Sequence, residues 1–351
     1  MSFQTFSLHQ LGWQAEYARL LTLADFDAGY PARVMAVHRS GLAVLSSRGA
    51  MAVALPHALA ESGGVAVGDW VLVEHEADRA LRVLDRRSLL SRVAAGGDHR
   101  RQPIAANLDA LFVVSSCNDD FNPSRLERYL ALALDAGVLP VVVLTKADLG
   151  EDAADYVAAA EQLMPGLSVL AVNALDEASV SQLGPWLTPG KTVAFVGSSG
   201  VGKSTLANHL TGAAMQRTAG IREDDARGRH TTTAREMFPT PGGAWVIDTP
   251  GMRELRVAVG EAELGAVFDD IDALATQCRF GDCRHEGDAG CAVEAAVADG
   301  ALDARRLSNY RKLQRESAHA QRSLREQHEH SRQFNAVVTQ AMRVKKEKLG
   351  R

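Results

Sequence analysis

Nine consecutive residues near the middle of the chain have the types and spacing of a phosphate-binding loop. The segment reads Gly-Ser-Ser-Gly-Val-Gly-Lys-Ser-Thr and matches the pattern G-x-x-x-x-G-K-[ST]. Glycines allow a tight turn whose N–H groups converge on one point, and a helix N-terminus adds positive potential there. We expect Lys203 to reach the β- and γ-phosphates and Ser204 to hold Mg²⁺. Candidate nucleotide ligands are Gly197, Ser198, Ser199, Gly200, Val201, Gly202, Lys203, Ser204 and Thr205.

A second cluster has the chemistry of a metal site. Three of the four cysteines and one histidine lie within fourteen residues, as Cys278-x4-Cys283-x-His285-x5-Cys291. Three thiolates and one imidazole complete a tetrahedral set with no open position, so we predict one structural Zn²⁺. The alternative is three free cysteines that cluster by chance, but the close spacing and polar, glycine-containing intervening residues favour metal.

The elements around the loop predict a parallel sheet that places further ligands beside it. Apolar runs at 108–114, 140–144, 167–172, 192–196 and 245–247 alternate with predicted helices at 123–136, 151–163 and 177–187. Ligands of such sheets bind at the carboxyl ends of the strands. The last run ends in Asp248-Thr249-Pro250-Gly251. Asp248 is placed to hold Mg²⁺ through water, and the Gly251 N–H to sense a γ-phosphate.

An all-β segment precedes this sheet. Five short apolar runs between about residues 31 and 95, punctuated by glycines, predict a small barrel of the oligonucleotide-binding (OB) type. Its rim would carry Arg79, Arg82, Arg86, Arg87 and Arg92. The alternative is a barrel used only for packing between domains, because one fold hosts many functions. Residues 1–30 form a mixed leader to which the sequence assigns no function.

Composition sets the class of protein. The chain has 351 residues, is 46% hydrophobic and carries a net charge of −5, so two or three soluble domains are expected. No apolar run approaches the length of a membrane span, and no signal peptide is evident, so we expect a cytoplasmic protein. Residues 305–351 hold thirteen Lys or Arg against four Asp or Glu. Such a helical tail suits a phosphate backbone, although a solvated helix is the alternative.

One further motif carries a family resemblance. The segment Thr145-Lys146-Ala147-Asp148 resembles the guanine-specificity element N-K-x-D of GTPases, with Thr145 in place of the usual Asn. In that element the carboxylate accepts hydrogen bonds from guanine. In this chain the Thr145–Asp148 segment precedes both the phosphate loop and the D-x-x-G segment, Asp248–Gly251. That order is found in circularly permuted GTPases. The order of barrel, permuted GTPase and zinc site resembles the ribosome small subunit-dependent GTPase A family, over residues from about 30 to 335.

The resemblance implies a function and additional site residues. It implies a monomeric GTPase that binds the 30S subunit and 16S rRNA and assists late maturation of that subunit. Hydrolysis of GTP to GDP and phosphate would then release the protein from the subunit. Arg229–Thr233 is similar to the family's switch I, where we favour Thr232 as a Mg²⁺ ligand over Thr231 and Thr233. Further guanine contacts in the S-A-x position would be Asn173 and Ala174.

Met252 stands where many GTPases have a Gln that orients the attacking water. A thioether cannot do this, so we predict slow intrinsic hydrolysis with the missing group supplied elsewhere. His230 is the candidate, against the alternative of an exposed loop histidine. Two other functions are retained as alternatives: a nucleotide-regulated RNA-binding module with little turnover, and a P-loop kinase.

The expected architecture is an α/β core with two flanking domains. We predict a leader at 1–30, an OB barrel at 31–95, a circularly permuted GTPase domain at 96–260, and a mainly helical zinc-binding domain with a basic C-terminal helix at 261–351. Because the D-x-x-G segment runs directly into the zinc region, we hypothesise that nucleotide state repositions that region against the barrel.

Overall fold

The computed structural model describes residues 5–38, 40–61, 63–93, 101–150, 152–212, 235–248 and 259–321. Two short helices, α1 (Ala15–Ala18) and α2 (Leu23–Ala28), come first. Among the residues in these ranges, no helix combines the length and apolar character needed to cross a bilayer.

Five strands close a barrel after the leader. They are β1 (Gly29–His38), β2 (Gly41–Ser46), β3 (Gly49–Val53), β4 (Trp70–Glu74) and β5 (Ala80–Val83), with α3 (His57–Glu61) between β3 and β4. Antiparallel pairing joins β1 to β2 and β4, β2 to β3, and β4 to β5. A parallel bridge between Ala54 and Arg79 connects the two remaining edges. The circular order 1-2-3-5-4 confirms the predicted OB-type barrel.

A larger sheet follows the barrel. A separate hairpin, β6 (Leu89–Val93) and β7 (Arg101–Ala106), leads to β8 (Ala110–Ser116), β9 (Leu139–Thr145), β10 (Ser168–Ala171), β11 (Thr192–Gly197), β12 (Glu236–Pro239) and β13 (Trp245–Asp248). The spatial order is β10-β9-β8-β11-β13-β12, parallel except for β12. Strands β8 and β11 are buried along their whole length, as expected of parallel strands covered on both faces.

The helices that cover this sheet largely match the predicted ones. They are α4 (Pro123–Asp135), α5 (Ala153–Glu161), α6 (Glu177–Val180) and α7 (Lys203–Thr211). One prediction was wrong in kind, because the helix expected over 177–187 is α-helical for only four residues and continues as a 3-10 segment, Ser181–Trp186. Pro185 lies inside that segment, where its missing N–H cannot support an α-helical hydrogen bond.

The leader packs where the barrel meets the sheet. Leu11 and Tyr17 are buried. Trp13 meets Trp70 of β4 edge to face, with ring centroids 4.7 Å apart. Trp245 of β13 donates its indole N–H to the backbone carbonyl of Gln10, at 2.8 Å. The segment without a sequence-based role therefore joins barrel and sheet.

A buried arginine completes this junction. The Arg33 guanidinium contacts the carbonyl of Leu11 in the leader and donates to Gly68 O and Asn107 O, both at 3.4 Å. Desolvation lowers the pKa of Arg33 to about 10, so the side chain stays charged near neutral pH. Three carbonyls from three chain segments thus replace its lost hydration.

The arginines expected on the barrel rim are mostly engaged with carboxylates. Salt bridges join Arg82 to Asp25, Arg86 to Asp69, Arg87 to Asp109 and Arg79 to Glu74, and Arg92 donates to Gln102. Because Asp25 lies in the leader and Asp109 beside β8, two of these pairs connect the barrel region with its neighbours. The sequence predicted these five arginines but not the partners that hold them.

The C-terminal region packs on α4. Its helices are α8 (Glu261–Val267), α9 (Asp269–Ala275), α10 (Ala292–Ala298) and α11 over residues 304–321. Glu127 of α4 is fully buried and accepts from Arg305 and Arg306 at 3.1 Å and from Asn309 at 2.5 Å. Arg306 also pairs with Asp270 at 2.7 Å. A buried polar cluster therefore attaches α11 to α4, one of the helices that cover the central sheet.

Candidate nucleotide and metal sites

The phosphate loop connects β11 to α7 and depends on its glycines. A Cβ at Gly197 would lie 2.2 Å from the Val114 carbonyl oxygen, so only glycine fits beside β8. Gly202 has a φ of +91° and is the N-cap of α7, a backbone conformation that glycine adopts readily. The Lys203 ammonium lies 2.9 Å from Gly197 O and also contacts Ser198 O. The lysine therefore turns back over the loop, where a phosphate would bind.

Thr145 ties the predicted guanine segment to the phosphate loop. Its side chain is buried, and its hydroxyl lies 2.5 Å from Val201 O and 3.1 Å from Ser115 O. A Cβ placed on Gly202 would lie 3.5 Å from the Thr145 methyl carbon. The residue that replaces the usual Asn thus links the predicted guanine segment to the phosphate loop, a contact that the motif alone did not reveal.

The two predicted base-binding segments are adjacent at the same edge of the sheet. Lys146 has a left-handed φ of +59°, an uncommon conformation for a residue other than glycine that often marks functional positions. The Ala147 N–H donates to Val172 O at 3.4 Å, linking the segments that follow β9 and β10. Asp148 is exposed, and the Asn173 carboxamide accepts from the backbone of the second residue after it. Both segments are therefore placed to contact one base.

The remaining predicted nucleotide residues are only partly described. Asp248 ends β13, where its backbone is in register with Glu236 of β12. This places its Cα at the carboxyl end of the strand next to β11. His230, Thr232 and Gly251 lie outside the described residues.

One contact at the loop involves a residue that sequence reasoning missed. Arg125, in the first turn of α4, makes a hydrogen bond to the Ser198 hydroxyl. The two residues are 73 positions apart, and no local pattern marks such a contact. Only the packing of α4 beside β11 brings the guanidinium to the phosphate loop.

The predicted metal ligands meet in one place. The His285 Nδ1 atom lies 3.6, 3.4 and 3.3 Å from the sulfur atoms of Cys278, Cys283 and Cys291. All four ligand atoms lie within 4.8 Å of one another. Tetrahedral zinc bonds of about 2.3 Å to sulfur and about 2.0 Å to nitrogen separate ligand atoms by roughly 3.5–3.8 Å. The Cys₃His cluster therefore has the donor set and spacing of a metal site.

The chemistry of the thiols also fits a cation. Desolvation and the neighbouring thiols raise the pKa of Cys283 to about 12. Desolvation also opposes ionisation of Cys278, but hydrogen bonds from the N–H groups of Ala292 and Val293 and from the Cys283 and Cys291 thiols together lower the pKa of that thiol. Three thiolates together need a positive charge among them, which a bound metal ion supplies.

The metal-binding loop is attached to the C-terminal helices. Cys291 is the N-cap of α10, and its sulfur accepts from the Glu294 N–H at 3.4 Å. The Glu294 carboxylate accepts from the Gly287 N–H at 2.9 Å and pairs with Arg311 of α11 at 2.9 Å. The Cys₃His cluster is therefore linked to both helices.

The order of the strands defines the class of protein. Strand β11, which feeds the phosphate loop, lies between β8 and β13, although β8, β9 and β10 precede it in the chain. The predicted base-binding segments after β9 and β10 thus come before the phosphate loop in sequence but share its edge of the sheet. This is the topology of a circularly permuted P-loop GTPase.

Comparisons with known proteins agree with that class. Residues 83–258 match the family model described as RsgA GTPase. The chain is 49% identical over 336 residues to the small ribosomal subunit biogenesis GTPase RsgA 2 of Vibrio vulnificus, covering 96% of this chain and 95% of that protein. It is 48% identical over 316 residues to RsgA of Mesorhizobium japonicum, covering 89% and 90%. The chain therefore belongs to the RsgA GTPase family.

Two solved structures share the fold. YjeQ from Thermotoga maritima has a TM-score of 0.61 at 24% identity, covering 82% of this chain and 98% of that one. YloQ, described as a circularly permuted GTPase, has a TM-score of 0.58 at 25% identity, with coverage of 83% and 95%. Family and fold confirm the predicted permuted GTPase, and membership implies action on GTP with Mg²⁺.

Proposed function

We propose that this GTPase binds the small (30S) ribosomal subunit through 16S rRNA, assists its late maturation and uses GTP hydrolysis to leave it. The observation that carries the proposal is the 49% identity across 96% of the chain to a relative named for biogenesis of that subunit. We further propose that the protein is a cytoplasmic monomer. Its domains would be the leader at 1–30, the barrel at 31–95, the GTPase domain at 96–260 and the zinc-binding domain at 261–351.

The proposed chemistry is in-line attack of water on the γ-phosphate. Lys203 and the loop N–H groups stabilise charge on the phosphates. Ser204 and Thr232 would supply hydroxyls to Mg²⁺, and Asp248 would hold the ion through water. The Gly251 N–H senses the γ-phosphate. The position of Lys203 over the loop carbonyls supports this assignment for the lysine.

The base is proposed to bind between the segments after β9 and β10. Asp148 accepts from guanine N1–H and the exocyclic amine, while the Lys146 stem lies against the ring. Asn173 and Ala174 supply the second segment, as the contact between Ala147 and Val172 supports. Thr145 acts indirectly, through its short contact with the phosphate loop.

His230 is proposed to orient the attacking water, because Met252 cannot. Replacing His230 with Ala should lower 30S-stimulated turnover by about 100-fold or more, the usual size of an acid–base contribution, and leave GTP affinity unchanged. His57 of α3, whose side chain is 86% exposed, provides the matched His→Ala control. Full stimulated turnover in the His230 variant would refute the assignment.

One structural Zn²⁺ is proposed for the Cys₃His cluster, where the four donors would complete a closed tetrahedral shell. That shell leaves no position for substrate, so the metal would stabilise the fold around α10 and α11. The basic residues of 305–351 are proposed to contact RNA phosphates. The helix over 304–321 begins this segment, and residues 322–351 lie outside the described part of the chain.

The decisive experiment measures multiple-turnover phosphate release from GTP by the purified full-length protein, alone and with 30S subunits. Matched reactions contain 50S subunits, ATP in place of GTP, or a Lys203→Ala variant. We expect stimulation only with 30S subunits, GTP and the intact lysine. Binding to 30S subunits without turnover would favour the alternative function, a nucleotide-regulated RNA-binding module. Met252 supports that alternative, because a thioether cannot orient the attacking water. If 30S subunits neither bound nor stimulated the protein, the 30S subunit would be excluded as its partner.

A further inference from the structure

The first turn of α4 lies against the phosphate loop and is fixed on two sides. The Asn122 side chain caps the helix by accepting from the Arg125 N–H at 2.9 Å. On the opposite side, Asn309 of α11 donates to the carbonyl of Ser124 at 3.1 Å. The backbone that carries Arg125 is therefore held firmly while its side chain extends to Ser198.

Within the described part of the chain, the Arg125 charge at this contact has no acidic partner. No carboxylate among residues of the described ranges forms a salt bridge with Arg125. Its neighbour on the loop is a neutral hydroxyl, and the Lys203 ammonium contacts the carbonyl of that same residue, Ser198. Two cations thus meet one turn of the loop. Such an arrangement favours a polyanionic ligand, because guanidinium and ammonium groups both bind phosphate strongly.

We propose that Arg125 is a positioning residue of the GTP site. It holds the phosphate loop through the Ser198 hydroxyl and adds positive charge next to Lys203. The effect is greater on a triphosphate than on a diphosphate, since the triphosphate brings more negative charge to the loop. The inference rests on the GTPase identity of the chain and adds a residue from outside its recognised nucleotide motifs.

Three single variants separate the parts of this contact. Arg125→Gln removes the charge and keeps a donor, Arg125→Lys keeps the charge, and Ser198→Ala removes the hydroxyl. Dissociation constants for GDP and a non-hydrolysable GTP analogue are measured by fluorescence with the full-length protein at low and high salt. The exposed Arg19 supplies a matched control, Arg19→Gln, with the same loss of one positive charge.

Arg125→Gln should weaken binding of the GTP analogue by about 3- to 5-fold, the upper range for a solvent-exposed charge contact. GDP binding should weaken less, and the difference should shrink at high salt because exposed charges are screened. Arg125→Lys should restore most of the affinity. Combining Arg125→Gln with Ser198→Ala should weaken binding by less than the product of the two single effects, since both act through one contact.

Unchanged affinities in Arg125→Gln, or an equal loss in Arg19→Gln, would overturn the inference. An equal loss for GDP and the GTP analogue, with a lowered melting temperature and no rescue by Lys, would assign Arg125 a structural role only. If the unmodified protein bound neither nucleotide, the GTPase assignment itself would fail. That outcome is distinct from failure at Arg125.

Discussion

Removing the Glu127 carboxylate should loosen the C-terminal helices without unfolding the barrel or the central sheet. Glu127 is fully buried and accepts from Arg305, Arg306 and Asn309. In Glu127→Ala the Arg306 guanidinium would keep only Asp270 as a carboxylate partner. Breaking a buried ion pair costs about 3–5 kcal/mol. Because the Arg305 side chain is 36% exposed and can rehydrate, we expect the lower end, about 3 kcal/mol.

Hydrogen exchange measures this loosening where it occurs. A loss of about 3 kcal/mol lowers the protection of amides that open with α11 by about 100-fold. Amides of β8 and β11 should change much less, because their neighbours in the sheet are untouched. Glu127→Gln should have a smaller effect, since it keeps the shape and one acceptor.

The matched control removes a more exposed ion pair from the same interface. Arg128 of α4 pairs with Glu316 of α11 at 2.8 Å, with side chains 24% and 34% exposed. Arg128→Gln should cost no more than about 1 kcal/mol. If Glu127→Ala lowered α11 protection no more than this control, the buried cluster would not be what attaches the helix. A uniform loss across the protein would equally refute a local role.

Three further perturbations test separate parts of the molecule. Asp148→Asn should weaken GTP binding by about 100-fold, because the Asn oxygen can still accept from guanine N1–H but its NH₂ group would face the exocyclic amine, donor against donor. The same variant should improve binding of xanthosine triphosphate, whose C2 carbonyl can accept from that NH₂ group. Unchanged base preference in competition assays would exclude Asp148 from the base site. Cys283→Ser should reduce bound zinc below one equivalent, as measured by elemental analysis. The control is Cys117→Ser, which changes a buried thiol outside the cluster and should leave the zinc content unchanged. Equal zinc content in the two variants would exclude the Cys₃His cluster as the zinc site. Hydrogen bonds from Arg82 and Thr22 hold the pKa of Asp25 well below its usual value. The contribution of the Asp25–Arg82 pair to the leader–barrel contact should therefore be complete above about pH 4 and be lost as the pH falls. Leader proteolysis that rises equally with acid in Asp25→Asn would contradict this.

Local patterns were sufficient for the sites that depend on contiguous residues. The phosphate loop and the Cys₃His set are short motifs, and their geometry follows from spacing and residue type. Strand β11 and helix α4 were predicted correctly because a long apolar run and a Pro-initiated amphipathic segment give strong local signals. The barrel followed from the regular alternation of short strands and glycine-containing turns.

Contacts between distant residues could not be predicted. The charge of Arg82 indicates a cationic rim in sequence, but its salt bridge to Asp25 depends on where the leader lies. Likewise, Thr145 departs from the usual motif residue, and only the packing of β9 beside the loop reveals its contact with Val201. Arg33 is polar at a fully buried position, which periodicity alone would not assign.

The permuted strand order also has a consequence for synthesis of the protein. A nascent chain makes β8, β9 and β10 before β11 exists, so the inner edge of β8 lacks its neighbour during that interval. The edge of β1 that pairs with β12 stays unpaired for longer, because Ala36 pairs with Glu236, two hundred residues later in the chain. Unpaired strand edges are where growing chains associate wrongly. Strand β11 pairs with the open edge of β8, and β12 pairs with the open edge of β1, so both edges stay unpaired until the later strands have been made.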